Sequence, residues 1–256
     1  MLSDKSVQAL LDKYSVSAFS DRTDALLTGA NRSAATMDAI KSYILDRGLK
    51  PGDPLPTEAK LCADLGVARS SVREALRKLE ALDIVSVQQG RGSFVGNMTM
   101  RPLVETLILR NALDHSTGKA TLRHVVATRR TLDLGIAEEV VNHFKNTHNP
   151  DIHALVDAMT QKAERGETYL DEDIAFHNAL NSFSGNTLTQ QLMSAMWLVH
   201  QAFLPHLDAP QAESLLITAK THGDMIRAAE AGDLKAYKEA VNAHYGPLAK
   251  LIDLDT

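Results

Sequence analysis

Apolar positions recur with a helical period over most of the chain, and the exception is one short stretch in its first half. Residues 36–82 contain three helical patterns, separated by a Pro- and Gly-rich turn at 51–56 and by Gly66. Two short β-type runs follow, at 84–88 and 93–95, and the Gln-Gly-Arg-Gly turn between them is typical of a hairpin. Three helices followed by a hairpin predict a winged helix-turn-helix.

Residues that favour helix ends define the bounds of these helices. Thr36 is expected to cap the first helix and Thr57 the second, because a side-chain oxygen at that position accepts a free backbone amide. Gly66 follows the second helix, where a left-handed residue commonly ends one. The third helix is predicted to run from about Arg69 to Leu82.

Beyond residue 100 the period is helical throughout and no strand pattern occurs. Pro150 suits the first position of a helix, and Asp233 can cap the last one. The breaks divide six or seven helices, which predict an all-α antiparallel bundle. The predicted fold class is mostly α: an N-terminal winged helix-turn-helix plus a C-terminal all-α antiparallel helical bundle. The predicted parts are an N-terminal extension (1–30), the winged helix (31–98) and the helical domain (99–256).

The composition is that of a globular protein, with 44% apolar and 23% charged residues among 256. A single cysteine, Cys62, excludes an intrachain disulfide and predicts a reducing, cytoplasmic location. No run of 18 apolar residues occurs, so no membrane span is expected. The net charge of −5 argues against non-specific coating of nucleic acid. The first 100 residues, however, balance 13 Lys and Arg against 12 Asp and Glu, so a local basic surface is possible.

The third predicted helix carries Arg69, Ser70 and Arg73 near one exposed face at its N-terminal end, which is the end that a recognition helix inserts into the major groove. An arginine there can pair with guanine, and serine hydroxyls suit phosphate. The alternative is an ordinary solvated basic helix face, and the hairpin that follows disfavours it. The candidate DNA-contacting residues are Thr57, Arg69, Ser70, Ser71, Arg73, Gln89, Gly90 and Arg91.

This segment resembles the DNA-binding domain of the GntR family of bacterial transcription regulators over about residues 36–97. The resemblance rests on four runs and two leucines. The runs are Leu55-Pro56-Thr57-Glu58, Gly66-Val67, Arg69 to Leu76 and, in the hairpin, Gly90 to Val95; the leucines are Leu61 and Leu79. Many members carry an arginine directly after the glutamate, where this chain has Ala59. That departure removes one expected DNA contact and predicts a divergent operator.

All ten histidines lie beyond residue 100. Asp173 and His177 are four residues apart on one predicted helix, so they share a face and can chelate one ion. His222 and His244 lie on two later helices and can point toward that face in a bundle. Three histidines and a carboxylate predict a site for a divalent metal ion of the Zn, Ni or Mn class. The other histidines, His148 and His153 among them, are expected to be structural.

The second part of the chain resembles the C-terminal domain of the FadR-type branch, called FCD, over about residues 102–250. The resemblance rests on Asp173, Phe176-His177, Ser184-Gly185-Asn186, and the spaced series from His222 to His244. It implies that Asp173, His177, His222 and His244 are the metal ligands. It also implies that Arg129 faces a ligand cavity, where a guanidinium can hold a carboxylate. The alternative for Arg129 is a surface position with ion pairs only.

The chain is therefore expected to be a ligand-responsive transcription regulator rather than an enzyme. We expect a repressor that binds double-stranded operator DNA as a homodimer, since two-fold symmetry matches palindromic operators. The expected effector is a small organic acid that contacts the metal and Arg129. Two alternatives remain open: a metal-dependent hydrolase that uses the same four residues, and a direct metal sensor.

Overall fold

The computed structural model describes residues 32–113, 119–182, 185–203 and 212–254. The chain divides into two compact units, and the boundary along the sequence falls between Pro102 and Leu103. The predicted N-terminal extension, 1–30, lies outside the described residues. No helix of the described part is long and apolar enough to cross a membrane.

The first unit is a three-helix domain with a two-stranded hairpin. Its elements are α1 (Arg32–Asp46), α2 (Glu58–Leu65), α3 (Arg69–Ala81), β1 (Val85–Gln88) and β2 (Gly92–Val95). The strands pair antiparallel, with Val85 opposite Val95 and Gln88 opposite Gly92. This order is the winged helix-turn-helix that the sequence predicts.

One core connects these elements, and local residues define their ends. Ile40, Leu61 and Leu79, which come from three different helices, are completely buried in it. Gly66 ends α2 in a left-handed conformation, with φ of 64°. The prediction for Thr36 is wrong, because α1 begins at Arg32 and Thr36 lies buried within the helix. A threonine is tolerated there, since its hydroxyl can bond to the carbonyl one turn earlier.

The second unit is all-helical. Its described helices are α4 (Arg101–Leu113), α5 (Lys119–Gly135), α6 (Ala137–Phe144), α7 (Pro150–Glu164), α8 (Leu170–Asn181), α9 (Thr187–Phe203), α10 (Ala212–Ala231) and α11 (Leu234–Leu251). The described residues thus form eight helices where six or seven were predicted. A break at Gly135 and Ile136 divides one continuous apolar period into α5 and α6. The mostly helical fold class is confirmed.

Helix α10 is central to this unit, because it packs against α6, α7 and α11. Asn149 and Asp233 cap α7 and α11 through side-chain oxygens that accept backbone amides. The turn at Gly232 and Asp233 joins α10 to α11 directly, and it brings residues of the two helices together across one interface. Helix α5 packs against α9 and α11.

Candidate functional site

Three histidines from three helices meet in the interior of the helical unit. His177 lies on α8, His222 on α10 and His244 on α11, and one ring nitrogen from each falls within 4.8 Å of the others. His222 is fully buried, and the ring centroids are 4.5 to 5.4 Å apart. The structure thus brings together the three histidines that the sequence selects from ten.

Asp173 joins the three histidines from one turn before His177 on α8. Its Oδ1 lies 3.1 Å from Nε2 of His222 and 3.8 Å from Nε2 of His177. Its Oδ2 accepts a hydrogen bond of 3.1 Å from the indole nitrogen of Trp197. The indole therefore orients the carboxylate with Oδ1 toward the imidazoles. We call Asp173, His177, His222 and His244 the histidine centre.

Several buried polar atoms of the histidine centre have no hydrogen-bond partner among the described residues. Within the part of the chain that the structure describes, Nε2 of His177 and the Nδ1 atoms of His222 and His244 are buried without a hydrogen-bond partner, and Nε2 of His222 has only its 3.1 Å contact with Asp173. An unsatisfied buried polar group costs about 1–3 kcal/mol. Two atoms bound to one ion at about 2.0–2.2 Å lie roughly 3 to 3.4 Å apart. Nε2 of His222 and Oδ1 of Asp173 are 3.1 Å apart, which is within this range. The donor set therefore fits a divalent ion of the zinc class.

Burial controls the protonation of this centre. Desolvation lowers the pKa of His177, and it brings the pKa of His244 well below its usual range, so both rings are neutral near pH 7. Burial alone would raise the pKa of Asp173, but the close contact with His222 and the neighbouring imidazoles hold it well below its usual range. Neutral imidazoles beside an ionised carboxylate are in the protonation state that binds metal ions.

Arg129 is buried on α5, with an exposed fraction of 7%, so it does not occupy the alternative surface position. Its Nη1 lies 2.6 Å from Nδ1 of His200 on α9. Because a guanidinium only donates, Nδ1 accepts, and the proton of the neutral ring lies on Nε2. Burial and the Arg129 charge lower the pKa of His200 to about 3, so the ring stays neutral. His200 therefore fixes the direction of the guanidinium.

A cavity of about 440 Å³ lies beside the histidine centre. Arg129, Asp133 and His177 line it together with the apolar side chains of Met193 and Trp197. Its size and its mixture of apolar wall and few charged groups are typical of a site for a small molecule. The guanidinium and one imidazole of the histidine centre thus border the same space.

Tyr245 links the cavity wall to the histidine centre. Its hydroxyl donates to the carboxylate of Asp133, and the residue follows His244 on α11. Burial raises the pKa of Tyr245 well above its usual value, so the hydroxyl keeps its proton and donates. Its ring centroid lies 5.6 Å from the guanidinium carbon of Arg129. Tyr245 thereby ties α5 to α11 at the cavity.

The winged helix presents a separate polar surface. Arg69, Ser70 and Arg73 are exposed at the N-terminal end of α3, and Ser71 is half-buried. Ala68, which precedes the helix, provides no side-chain cap, and the amide of Ser71 already donates to its carbonyl, so the amides of Arg69 and Ser70 are the ones that can face a phosphate. The exposed side chains and these amides point away from the core, which makes α3 a candidate recognition helix.

Two of the predicted DNA-contacting residues also have partners within the protein. Thr57 caps α2, and its hydroxyl oxygen accepts the amide of Lys60 at 3.3 Å. Nε of Arg73 donates to the carboxylate of Glu58 at 2.8 Å. Because this ion pair is exposed, it contributes only about 0–1 kcal/mol and holds Arg73 weakly.

The hairpin tip is the third part of this surface. Gln89, Gly90 and Arg91 are exposed between β1 and β2. Gly90 has a φ of 75°, a left-handed conformation that favours glycine and produces a narrow tip. The guanidinium carbon of Arg91 lies 5.6 Å from the ring centroid of Phe94. The tip therefore has the shape of a wing that can approach a groove.

The sequence did not reveal two contributors to the site. It gave no partner for Arg129, which contacts His200 on α9. Trp197 carried no signal for an interaction with a carboxylate, yet it orients Asp173. Both contacts join two different helices, so the spacing of residues along one helix could not reveal them.

A winged helix with an exposed basic recognition helix, in one chain with a helical unit that contains a cavity lined by a few charged groups, defines the class of DNA-binding transcription regulators. Residues 32–95 match the family described as bacterial regulatory proteins, gntR family. Residues 124–246 match the FCD domain. The chain belongs to the GntR family and carries an FCD domain; it is a transcription factor and not an enzyme.

Several similar proteins are named as transcription regulators. The chain is 31% identical over 153 residues to the HTH-type transcriptional regulator LutR of Bacillus subtilis, covering 57% of this chain and 65% of that protein. It is 23% identical over 172 residues to the galactonate operon transcriptional repressor of Escherichia coli, covering 67% and 75%. The solved structure of Streptococcus agalactiae GntR matches with a TM-score of 0.61 and 26% identity, covering 85% of this chain and 99% of that one.

Proposed function

We propose that this regulator is a homodimeric repressor that binds operator DNA in the cytoplasm and responds to a small organic acid. The acid binds in the cavity beside the histidine centre, and Asp173, His177, His222 and His244 hold a divalent metal ion. The observation that carries the proposal is that Arg129 and His177 line one cavity of about 440 Å³.

A carboxylate is the ligand group that this cavity favours. Arg129 has only donors, and a guanidinium can bind a carboxylate through two parallel hydrogen bonds. One of its nitrogens is already directed by His200, so the remaining donors are held in a fixed orientation at the cavity. One relative is named for the galactonate operon, and galactonate is a sugar acid, which agrees with this ligand class.

The histidine centre would add positive charge to the same cavity. A bound divalent ion supplies that charge together with open coordination positions for oxygen atoms. Trp197 holds Asp173 through its indole nitrogen, and Phe176 packs edge-on against His222 at 4.6 Å between ring centroids. These contacts hold Asp173 and His222 in place before the acid binds, so less ordering is left to the binding step.

The DNA surface consists of α3 and the hairpin tip. Arg69 and Arg73 are suited to base edges or phosphates, Ser70 and Ser71 to phosphates, and Gly90 allows a close backbone approach. In a homodimer, two copies of α3 would read the two halves of a palindromic operator. Binding of the acid would change operator affinity through a coupling free energy between the two sites.

Gel-shift titration with an operator selected from random DNA duplexes tests the proposal. A panel of hydroxy acids and sugar acids should change operator affinity, and the matching alcohols and amides should not. Arg129→Gln should weaken the effect of the active acid by more than about tenfold, because a hydrogen bond to a charged group contributes about 1.5–3 kcal/mol. Arg130→Gln, on the same helix, is the matched control.

The same assay distinguishes an acid-responsive regulator from a direct metal sensor. If adding Zn²⁺ or a chelator changes operator affinity with no acid present, and no acid has an effect, the protein senses the metal directly. If no selected duplex is bound under any condition, the proposal is wrong. An acid response that Arg129→Gln leaves intact would remove the guanidinium from the binding site.

A further inference from the structure

A second group of potential metal ligands lies at the surface of the helical unit. His148, His153 and Glu230 offer ligand atoms that all fall within 4.8 Å of one another. Nε2 of His153 lies 2.9 Å from Oε2 of Glu230, and Nδ1 of His148 lies 3.6 Å from Oε1. None of these residues belongs to the histidine centre or to the DNA surface.

The turn between α6 and α7 and the last turn of α10 hold this group together. The backbone amide of Asn149 donates to Oε1 of Glu230 at 2.9 Å, and the amide of Asn146 donates to its backbone carbonyl at 2.9 Å. The carboxylate is only 13% exposed, so these contacts define its orientation. Oε2 therefore faces His153 while Oε1 keeps its amide, which is how an outer hydrogen bond orients a ligating carboxylate.

The two imidazoles lie next to each other beside the carboxylate. The rings of His148 and His153 stack at 4.7 Å between centroids, with 28° between their planes. Both imidazoles therefore lie side by side next to one carboxylate, with their ligand atoms within 4.8 Å of one another and of a carboxylate oxygen. Two imidazoles with one carboxylate form a known zinc donor set.

We propose that His148, His153 and Glu230 bind a divalent transition-metal ion of the zinc class, with water in the remaining coordination positions. Two ligand atoms on one tetrahedral zinc ion lie about 3.4 Å apart. The 2.9 Å and 3.6 Å separations bracket this value, so small side-chain rotations suffice. His148 is exposed and completes the site from the solvent side.

This surface site is separate from the histidine centre but shares a helix with it. Glu230 lies eight residues after His222 on α10, which is about 12 Å along a helix at 1.5 Å per residue. An ion at the surface site would fasten the turn between α6 and α7 to the end of α10. The two sites use different side chains, so each can be removed without touching the other.

Zinc binding to the full-length protein, prepared without any histidine tag and freed of metal, tests the surface site. Equilibrium dialysis gives the stoichiometry, and calorimetric titration gives the affinity. We expect His153→Gln and Glu230→Gln each to remove one equivalent of Zn²⁺ or weaken it by more than about tenfold. His124→Gln, an exposed histidine on α5, should bind Zn²⁺ like the unchanged protein.

His177→Gln separates this test from that of the histidine centre. An equivalent lost in His177→Gln but kept in His153→Gln belongs to the histidine centre, and the reverse belongs to the surface site. The inference is overturned if His153→Gln binds as much Zn²⁺ as the unchanged protein with the same affinity. It is also overturned if His124→Gln loses the same equivalent, because binding would then be non-specific.

Discussion

The recognition face of α3 and the histidine centre both collect polar side chains, but the first does so in water and the second in the interior. Arg69 and Arg73 are exposed, whereas His222 is fully buried and His244 nearly so. An exposed charge is hydrated and contributes little to folding. A buried polar group must be satisfied by the protein or by a ligand. The two regions should therefore respond to substitution in opposite ways.

The protein contains a single tryptophan, Trp197, and it lies in the helical unit beside the histidine centre. Its fluorescence consequently reports unfolding of the helical unit, and operator binding reports the winged helix. These two measurements allow the comparison between the regions to be tested one substitution at a time.

The largest expected effect is that of Phe176→Ala. Phe176 is completely buried and contacts the rings of His177 and His222 at the centre of the helical unit. Removing a buried phenylalanine costs about 3–5 kcal/mol, so Trp197 fluorescence should show unfolding at much lower denaturant. Leu188→Ala, at a position that is 56% exposed, should cost less than about 1 kcal/mol. Similar costs for both variants would contradict a tightly packed centre.

The next expected effect concerns pH. The folded-state pKa of His200 is about 3, against 6.5 for the free side chain. The unfolded chain therefore binds the proton at higher pH than the fold does, so stability falls as pH drops from about 6.5 toward 3. In His200→Phe this contribution disappears. The free energy of unfolding should then fall less steeply with decreasing pH, by up to the slope that the uptake of one proton produces. Trp197 fluorescence during denaturation at several pH values measures the slope, and an unchanged slope would contradict a buried neutral His200.

The comparison predicts a different outcome for Arg69→Ala. If Arg69 contacts a guanine, operator affinity should fall about 5- to 150-fold, which corresponds to 1–3 kcal/mol per contact. The unfolding monitored by Trp197 should not change. Lys235→Ala is a matched control, since it removes one exposed positive charge from the helical unit. Equal losses in both variants would show that general charge, and not the face of α3, governs binding.

The two regions also differ in how far the sequence predicts them. In the winged helix, short-range signals sufficed: Thr57 caps α2, Gly66 ends it, and Gly90 lies at the hairpin tip. Such residues act on the backbone within a few positions, so their effect is visible in a single sequence. The exception, Thr36, shows that one residue type serves both as a cap and inside a helix.

In the helical unit, only part of the site has a local signal. Asp173 and His177 share a helix face at a spacing of four, which the sequence shows directly. The contact of Arg129 with His200 joins residues 71 positions apart, and that of His153 with Glu230 joins residues 77 apart. His153 stays predicted as structural, and its contact with Glu230 comes from another helix, which helical spacing does not show. Tertiary packing determines these pairs, and no periodicity encodes it.

The smallest expected effect concerns the ion pair between Glu58 and Arg73 on the recognition face of α3. Glu58 holds Arg73 at 2.8 Å in an exposed ion pair, so DNA must compete with a carboxylate for this guanidinium. Glu58→Gln removes the competitor and one negative charge from the surface that faces DNA, and operator affinity should rise by about 1.4- to fivefold, since exposed pairs contribute about 0.2–1 kcal/mol. Fluorescence anisotropy with a labelled operator at several salt concentrations measures the change. Asp64→Asn, which loses an exposed pair with Lys60 on α2, is the control for charge alone. A fall in affinity for Glu58→Gln would instead mean that the carboxylate orients Arg73 for DNA, and the exposed face would then share the fixed geometry of the buried centre.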